Sequence, residues 1–394
     1  MKTIELPNDF RDALPIVAKA APHARAWVPI LQTILITASC DDGLAARATD
    51  LEVSCAYVTH VEVPEGPEGC RDWAVALDAR MVADFAADAK KKGLRVSLTF
   101  AQSAEASYAT LATVDRTVRL ESLLTENFPP LVHVTNKVVA SASLPFVELR
   151  EAYLRVSSCA AQKPVHGGTY IEFWTRGLTD VLAQPGLAFT STDGYGAAHT
   201  VVAVRKTLFV NNEHSAILPG CLRKMMMALP KKFEKETSDA VIEVSASLAS
   251  INIAGYNVVA RLVDGHYPNV RGIVPKVSDD CTIEISPSAL VDAVKNTGDL
   301  TDKQRTIAME SKDFGATVTI SCDGSTSAVN CRSGIAGHYA FPRTLLNASN
   351  LLRVLGSFDP HAPIIIAYTG ALKVLAFLQG KSLALLMPLS APTY

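Results

Sequence analysis

Ser191-Thr192-Asp193-Gly194-Tyr195 and, upstream, Ala48-Thr49-Asp50-Leu51-Glu52 are the two stretches on which the reading of this chain turns. In each, an alternating, strand-like run ends in Thr-Asp and a second such run begins within a few residues. A tight corner between two strands wants this chemistry, because Asp hydrogen-bonds the backbone ahead of it and Gly takes positive φ without steric cost. A second pair of landmarks follows downstream, Glu126-Asn127-Phe128-Pro129 and Gly265-His266-Tyr267-Pro268. The corners lie 143 residues apart (50 to 193) and the later landmarks 139 (128 to 267), so two unlike signatures recur at nearly one interval. The chain reads as a duplicated domain with enough length left for a third, divided at 1–135, 136–275 and 276–394.

With 394 residues there is ample chain for several cores, and 48% hydrophobic against 19% charged residues fits a soluble globular protein. No apolar run approaches the roughly 18 residues a membrane span needs, and Met1-Lys2-Thr3-Ile4-Glu5 lacks a signal-peptide core. A cytoplasmic protein without membrane contact is expected. The eight cysteines, at 40, 55, 70, 159, 221, 281, 322 and 331, form no Cys-x-x-Cys pair and no zinc spacing with His. They are read as small buried hydrophobes rather than metal ligands or disulfides. A net charge of −2 does not announce nucleic acid, although positive residues gathered on one surface escape such a total.

Periodicity predicts the same succession three times: strand, helix, strands, helix, strands. In the first segment Thr3 to Leu6 is a strand, and a helix capped by Asn8 carries Phe10, Ala13, Leu14 and Val17 inward. Ile30 to Ser39 and Leu51 to Val63 read as strands. A helix signalled by Asp78 turns Met81, Val82, Phe85 and Ala89 inward and ends in Lys90-Lys91-Lys92, where cations suit the dipole. Strands resume at Leu94 to Phe100 and Tyr108 to Leu123. In the second segment Ser143-Leu144-Pro145 opens a helix with Phe146, Leu149, Tyr153 and Val156 inward. Strands are predicted at Thr169 to Phe173, Gly186 to Thr192 and His199 to Arg205. A helix near Pro219 buries Leu222, Met225, Met226 and Leu229, before strands at Val241 to Ser245 and Ile251 to Val263. In the third, Ser286-Pro287 opens a helix, Thr306 to Glu310 and Thr317 to Asp323 are strands, and a helix runs through Leu345, Leu346, Leu351, Leu352 and Leu355. Strands at Pro363 to Tyr368, Leu372 to Leu378 and Leu383 to Leu389 close the chain.

Catalytic constellations do not emerge: there is no Gly-rich phosphate loop, no Gly-x-Ser-x-Gly elbow and no His-Glu-x-x-His. Asp41-Asp42 and Asp279-Asp280 are adjacent carboxylates, which point different ways on a strand and are usually solvated in turns. Nine scattered histidines make no nucleophile motif. The chain is read as a non-enzyme without a cofactor, whose role comes from shape. Repeated domains with sheets running from one to the next suit a curved or closed assembly, which also removes sheet edges prone to aggregation.

At these motifs the chain resembles the bacterial sliding clamp, the β subunit of the replicative DNA polymerase. The family's Pro-Ile-Leu and Thr-Asp-Leu-Glu stand here as Pro29-Ile30-Leu31 and Thr49-Asp50-Leu51-Glu52. Its Asp-Phe-Pro stands as Asn127-Phe128-Pro129, and its Thr-Asp-Gly as Thr192-Asp193-Gly194. Its Leu-Val-Asp-Gly-Arg-Phe-Pro stands as Leu262 to Pro268, and its apolar-Met-Pro ending as Leu385-Leu386-Met387-Pro388-Leu389. The matches are ordered and span nearly the whole chain. The resemblance implies an α+β fold of three repeated clamp domains, each with two helices packed on antiparallel sheets. It also implies a head-to-tail homodimeric ring around duplex DNA, which tethers DNA polymerase and clamp loader through short peptide motifs and catalyses nothing.

A sliding contact should be phosphate-directed, without base readout. Arg25 stands where the family also places an Arg, and helix placement adds Arg80, Lys90, Lys91, Arg223, Lys224 and Arg343 as DNA-binding candidates. The resemblance also implies a peptide groove between the second and third domains. Its matching positions are Val165, His166, Thr192, Gly194, Tyr195, Ala197, Ile242, Leu385, Leu386, Met387, Pro388 and Leu389. The chain departs from the family where Gly194-Tyr195-Gly196-Ala197 loses an Arg and shrinks a Leu, and where His166 replaces a usual Leu, so its groove should be altered. Two other readings stand beside the clamp: a clamp-like peptide-binding protein that loads on no DNA, and an enzyme using scattered His and Cys.

Overall fold

The structure is a computed structural model and describes residues 2–22, 27–39, 43–60, 73–102, 107–130, 134, 138–161, 167–174, 186–209, 213–231, 233, 238–275, 282–298, 305–312, 317–322, 324–331, 342–368 and 373–390. One succession of elements occurs three times. The first round is β1 (Lys2–Leu6), α1 (Asn8–Val17), β2 (Thr33–Ser39), β3 (Gly43–Thr49), β4 (Val53–Thr59), β5 (Trp73–Asp78), α2 (Ala79–Lys92), β6 (Val96–Gln102), β7 (Ser107–Ala112) and β8 (Thr117–Glu121). The second is β9 (Ala140–Pro145), α3 (Phe146–Ser157), β10 (Thr169–Trp174), β11 (Gly186–Thr192), β12 (Gly196–Ala203), a supernumerary β13 (Lys206–Phe209), β14 (Glu213–Leu218), α4 (Leu222–Ala228), β15 (Asp239–Val244), β16 (Leu248–Ile253) and β17 (Tyr256–Arg261). The third is β18 (Thr282–Ile285), α5 (Pro287–Asn296), β19 (Thr306–Lys312), β20 (Thr317–Cys322), β21 (Ser325–Asn330), β22 (Thr344–Asn347), α6 (Ala348–Leu355), β23 (Ile364–Ala367), β24 (Leu375–Gln379) and β25 (Ser382–Leu386).

The chain divides into two compact units, Met1–Val147 with Lys206–Asn211 and Cys221–Leu262, and Glu148–Arg205 with Asn212–Gly220 and Val263–Tyr394. The first unit holds a four-stranded sheet, β1-β6-β7-β8, and a nine-stranded sheet, β13-β9-β15-β16-β17-β4-β3-β2-β5. The second holds an eight-stranded sheet, β14-β10-β11-β12-β25-β24-β23-β18, and a four-stranded one, β21-β20-β19-β22. All recorded strand pairings are antiparallel.

Helix faces are buried where a 3.6-residue period places them. Phe10, Leu14 and Val17 on α1, Val82 and Phe85 on α2, Phe146, Leu149 and Tyr153 on α3, and Leu351 and Leu355 on α6 are nearly inaccessible. Each such side chain contributes about 1.5–3 kcal/mol relative to exposure. In the first unit an aromatic relay, Phe10 to Tyr57 to Tyr256 to Phe233 to Phe146, has centroid separations of 6.2, 4.6, 6.0 and 6.2 Å, and ties α1 to the middle of the nine-stranded sheet. Cys55, Cys159 and Cys322 are buried small hydrophobes as read, and burial pushes the Cys55 thiol up to about 12. Cys221 is exposed and Cys331 half-buried; Cys40, Cys70 and Cys281, like Asp41-Asp42 and Asp279-Asp280, lie outside the described residues.

Several expectations are corrected. Pro7, not Asn8, precedes the first turn of α1 and offers no side-chain cap; Asp78 and Ser286 do cap, accepting from Met81 N and Ala289 N. Met81 is turned out to solvent. Ser143-Leu144-Pro145 finishes β9 instead of opening α3, because Ser143 pairs with Val241 and Pro145 with Asp239. Leu345 and Leu346 belong to β22, held by pairing with Ala308 and Ile307. Tyr108 to Leu123 and Ile251 to Val263 each fold back as hairpins. The supernumerary β13 at the edge of the nine-stranded sheet and the strand Trp73–Asp78 were not anticipated.

The two corners that opened the reading have one hydrogen-bond pattern. Thr49 Oγ1 donates to Val53 O and accepts from Leu51 N, at 3.2 and 3.0 Å; Thr192 Oγ1 donates to Gly196 O and accepts from Gly194 N, at 2.8 and 3.1 Å. Asp50 Oδ1 accepts from Glu52 N and Val53 N at 3.0 and 2.7 Å, as Asp193 Oδ1 does from Tyr195 N and Gly196 N at 3.0 and 2.8 Å. The backbone closes each in the same way, Asp50 N to Val53 O and Asp193 N to Gly196 O. The residue after the positive-φ position then hands its carbonyl to the neighbouring strand, Glu52 O to Arg261 N and Tyr195 O to Met387 N, both at 2.9 Å. Leu51 and Gly194 occupy the same left-handed conformation, at φ 76° and 92°.

That equivalence yields a reciprocal expectation. A side chain costs about 1 kcal/mol in the left-handed region, and a Cβ on Gly194 meets nothing within 4 Å. Leu51→Gly should therefore raise stability by up to about 1 kcal/mol, and Gly194→Ala should lower it by a similar amount, both read by chemical denaturation. Opposite signs at the two corners are required.

Candidate functional site

The corner at Thr192 to Gly196 is the centre of a site built wholly within the second unit. Its outgoing strand β12 pairs with β25, Gly196 opposite Leu386 and Ala197 opposite Leu385, so two sequence-distant candidates become neighbours. Thr192, Ala197, Leu385 and Leu386 are buried beneath it, while Tyr195 and Met387 stand out at 64% and 41% exposure. Leu389 N donates to Leu345 O at 2.8 Å and fixes the closing segment. An exposed aromatic and an exposed thioether over a buried aliphatic floor form a surface suited to hydrophobic peptide anchors.

Three contributors reach the corner from elsewhere in the second unit, and of these only Tyr267 lies in a sequence landmark. Arg353 on α6 forms an ion pair with Asp193 through the carboxylate oxygen that does not cap the turn, and its Nη2 donates to Asn350 Oδ1 at 2.8 Å. Tyr267 accepts from Thr192 N at 2.9 Å and stacks on Tyr170 at 5.1 Å between centroids, with the rings 4° from parallel. Val270 packs with Ala197 and Leu385, and brings exposed Ile273 and Val274 along in the same turn and just beyond it. Gly196 is closely covered: a Cβ there would lie 3.1 Å from Val354 Cγ2 and 3.4 Å from Leu385 O. A side chain at 196 thus requires its neighbours, Val354 on α6 foremost, to give by a few tenths of an ångström.

Ile242, also expected in the groove, is fully buried on β15 in the first unit, in the sheet ladder between Ala142 and Ile251, and offers no surface to a ligand. Val165 and His166 lie outside the described residues, as does Arg25.

Of the basic candidates, Arg80, Lys90 and Lys91 lie on α2 and Arg223 and Lys224 on α4, both helices flanking the turn Ala18–Ala20 in the first unit. Arg343 is exposed immediately before β22 in the second unit. Lys90 pairs with Asp12 at 3.1 Å, and Asp12 also accepts from Arg11, so part of its charge is spent locking α1 to α2. Lys224 donates to Ala21 O at 3.4 Å; burial lowers the pKa of its ammonium, partly offset by the charge of Asp50. The six α-helices among the described residues together carry eleven Lys or Arg against seven Asp or Glu, net positive in a chain whose total is −2.

No protein-family model and no curated protein matches the chain by sequence. Solved structures do. The DNA polymerase sliding clamp of Bacillus subtilis superposes with a TM-score of 0.78 at 16% identity, covering 100% of both chains. That of Pseudomonas aeruginosa gives 0.77 at 17% identity, covering 99% of this chain and 100% of its own. A Helicobacter pylori beta clamp, bound to a DNA ligase peptide, gives 0.76 at 14%, covering 98% and 100%. The chain therefore has the fold of the bacterial DNA polymerase sliding clamps, end to end.

Asp193 is the residue on which the site geometry rests. Asp193→Ala removes two backbone caps and leaves Arg353, whose side chain is 28% exposed, without its partner. A loss of about 2–3 kcal/mol is expected in chemical denaturation, and Asp193→Asn, which keeps an acceptor, should recover part of it.

Proposed function

We propose that this chain is a DNA sliding clamp, a processivity factor rather than an enzyme, made of domains 1–135, 136–275 and 276–394. Two copies join head to tail, encircle duplex DNA in the cytoplasm and tether a polymerase and its loader through the Tyr195 and Met387 surface. One observation supports the ring above others. In each round the first strand and the last three share a sheet, and the middle strands form another. Within the chain the last strand of one round pairs with the third middle strand of the round before, β17 with β4 and β25 with β12. Among the described strands only β8 and β21 are left over in those two roles, at the open ends of the two four-stranded sheets. The equivalent join for β8 of one copy is β21 of another, which extends the ladder and covers both edges.

The net positive charge of the helices supplies the sequence-independent phosphate attraction a sliding contact needs. The altered corner and the acidic total favour one other reading, a clamp-like protein that binds peptides without loading on DNA.

Sedimentation at micromolar concentration should give twice the 42.1 kDa chain mass; a strictly monomeric species would remove the ring. Arg223→Glu combined with Lys224→Glu should lower loading on nicked circular DNA roughly tenfold at constant salt, with the dimer mass unchanged. Unchanged loading favours the peptide-only reading.

A further inference from the structure

Between α1, the end of α4 and the β16–β17 turn the first unit holds a cavity of about 520 Å³. Small-molecule sites span roughly 300–1,000 Å³. Tyr57, Phe233 and Tyr256 wall it, with ring centroids 4.6 Å apart between Tyr57 and Tyr256 and 6.0 Å apart between Phe233 and Tyr256. Asp9 and Asp12 of α1 line the same space, and exposed Lys90, Met227 and Lys231 stand at its mouth.

Two polar groups of this lining are left unmatched by the protein. Asp12 is matched by Arg11 at 2.8 Å and Lys90 at 3.1 Å. Asp9 Oδ2 instead accepts from neutral hydroxyls, Tyr57 Oη at 2.9 Å and Thr59 Oγ1 at 3.0 Å, and Asp9 has no ion-pair partner among the described residues. Burial acts to raise the Asp9 pKa, but those donors and the backbone of Phe10 and of Asp9 itself outweigh it and lower it, so the carboxylate is charged at neutral pH. Tyr256 is 5% exposed, yet its hydroxyl has no hydrogen-bond partner among the described residues and is not sealed off from the cavity. A phenol buried to this degree ordinarily finds one. Burial first, then the ionisable groups of Cys55, Tyr57, Asp12 and Asp9, raise its pKa, so it stays protonated near the two carboxylates.

An uncompensated carboxylate, an unused hydroxyl and a wall of rings form the lining that suits an organic cation, whose N–H groups meet the oxygens while its charge is drawn to the aromatic faces. An anion would be repelled by Asp9, and a neutral guest would leave its charge unmatched. We propose that this cavity binds a primary alkylammonium group, the chemistry shared by a free polyamine and a partner's lysine side chain, with Asp9 and Tyr256 as its polar contacts. This site is independent of the clamp reading, and neither can overturn the other.

The test is calorimetric titration of the full-length protein with n-pentylammonium, with 1-pentanol and pentanoate as controls of equal chain length. The amine should bind at one site per chain, and the controls should bind at least roughly tenfold more weakly. Asp9→Asn should weaken the amine roughly tenfold to a hundredfold, the scale of one hydrogen bond to a charged group. Tyr256→Phe should weaken it severalfold and leave the denaturation midpoint unchanged, because the hydroxyl has no protein partner to lose, so it tests the site even where Asp9→Asn disturbs folding. Titrating spermidine and a capped Gly-Lys-Gly peptide in parallel names the source: tighter spermidine assigns the cavity to free polyamines, tighter peptide to a partner's lysine, and either supports the site. No binding of any amine at millimolar concentration, equal binding of pentylammonium and pentanol, or full affinity in both variants overturns it.

Discussion

A carboxyl oxygen held against two backbone N–H groups is the interaction from which the sheets grow. At Asp50 and again at Asp193 it turns a strand so that the next residue but one presents its carbonyl to a strand more than a hundred residues away. Without the turn, β3 and β11 would end as sheet edges; with it, four middle strands of one round continue into the ladder of the next. Each capping bond contributes about 1 kcal/mol, but its larger effect is on register, because a slip of one residue would exchange the faces of β4 and β12.

Much of this was legible because it is local. Thr-Asp chemistry, the positive-φ position and the apolar stripes of α1, α3 and α4 all act over fewer than five residues. What escaped is decided at long range. Leu345 and Leu346 look helical beside Leu351 and Leu352, and only pairing with β19 makes them a strand. Ser143-Leu144-Pro145 has a helix-opening composition, yet β15 claims it. Arg353 reaches the corner from 160 residues away with nothing in its own neighbourhood to announce it, and Tyr267 from 74, in a landmark that does not name its partner. Ile242 matched a family position in sequence, but its strand turns it into the core.

Charge follows the same division between local and global. The overall total is slightly acidic, while the helices are net positive, so the remainder of the chain is more acidic than the total implies. Several helical cations are committed to neighbours, Lys90 to Asp12, Lys92 to Asp88 and Arg80 to Asp84. Weak, distributed attraction of this kind suits a polyanion that must move past, whereas a dense basic patch would arrest it.

The close cover of Gly196 by Val354 has an energetic consequence. A larger residue at 196 presses on Val354, which must give by a few tenths of an ångström, and a smaller residue at 354 would open a void unless 196 filled it. The two positions are therefore energetically coupled: the cost of a substitution at either depends on the residue at the other, and a double change from Gly196 and Val354 should cost less than the sum of the single ones.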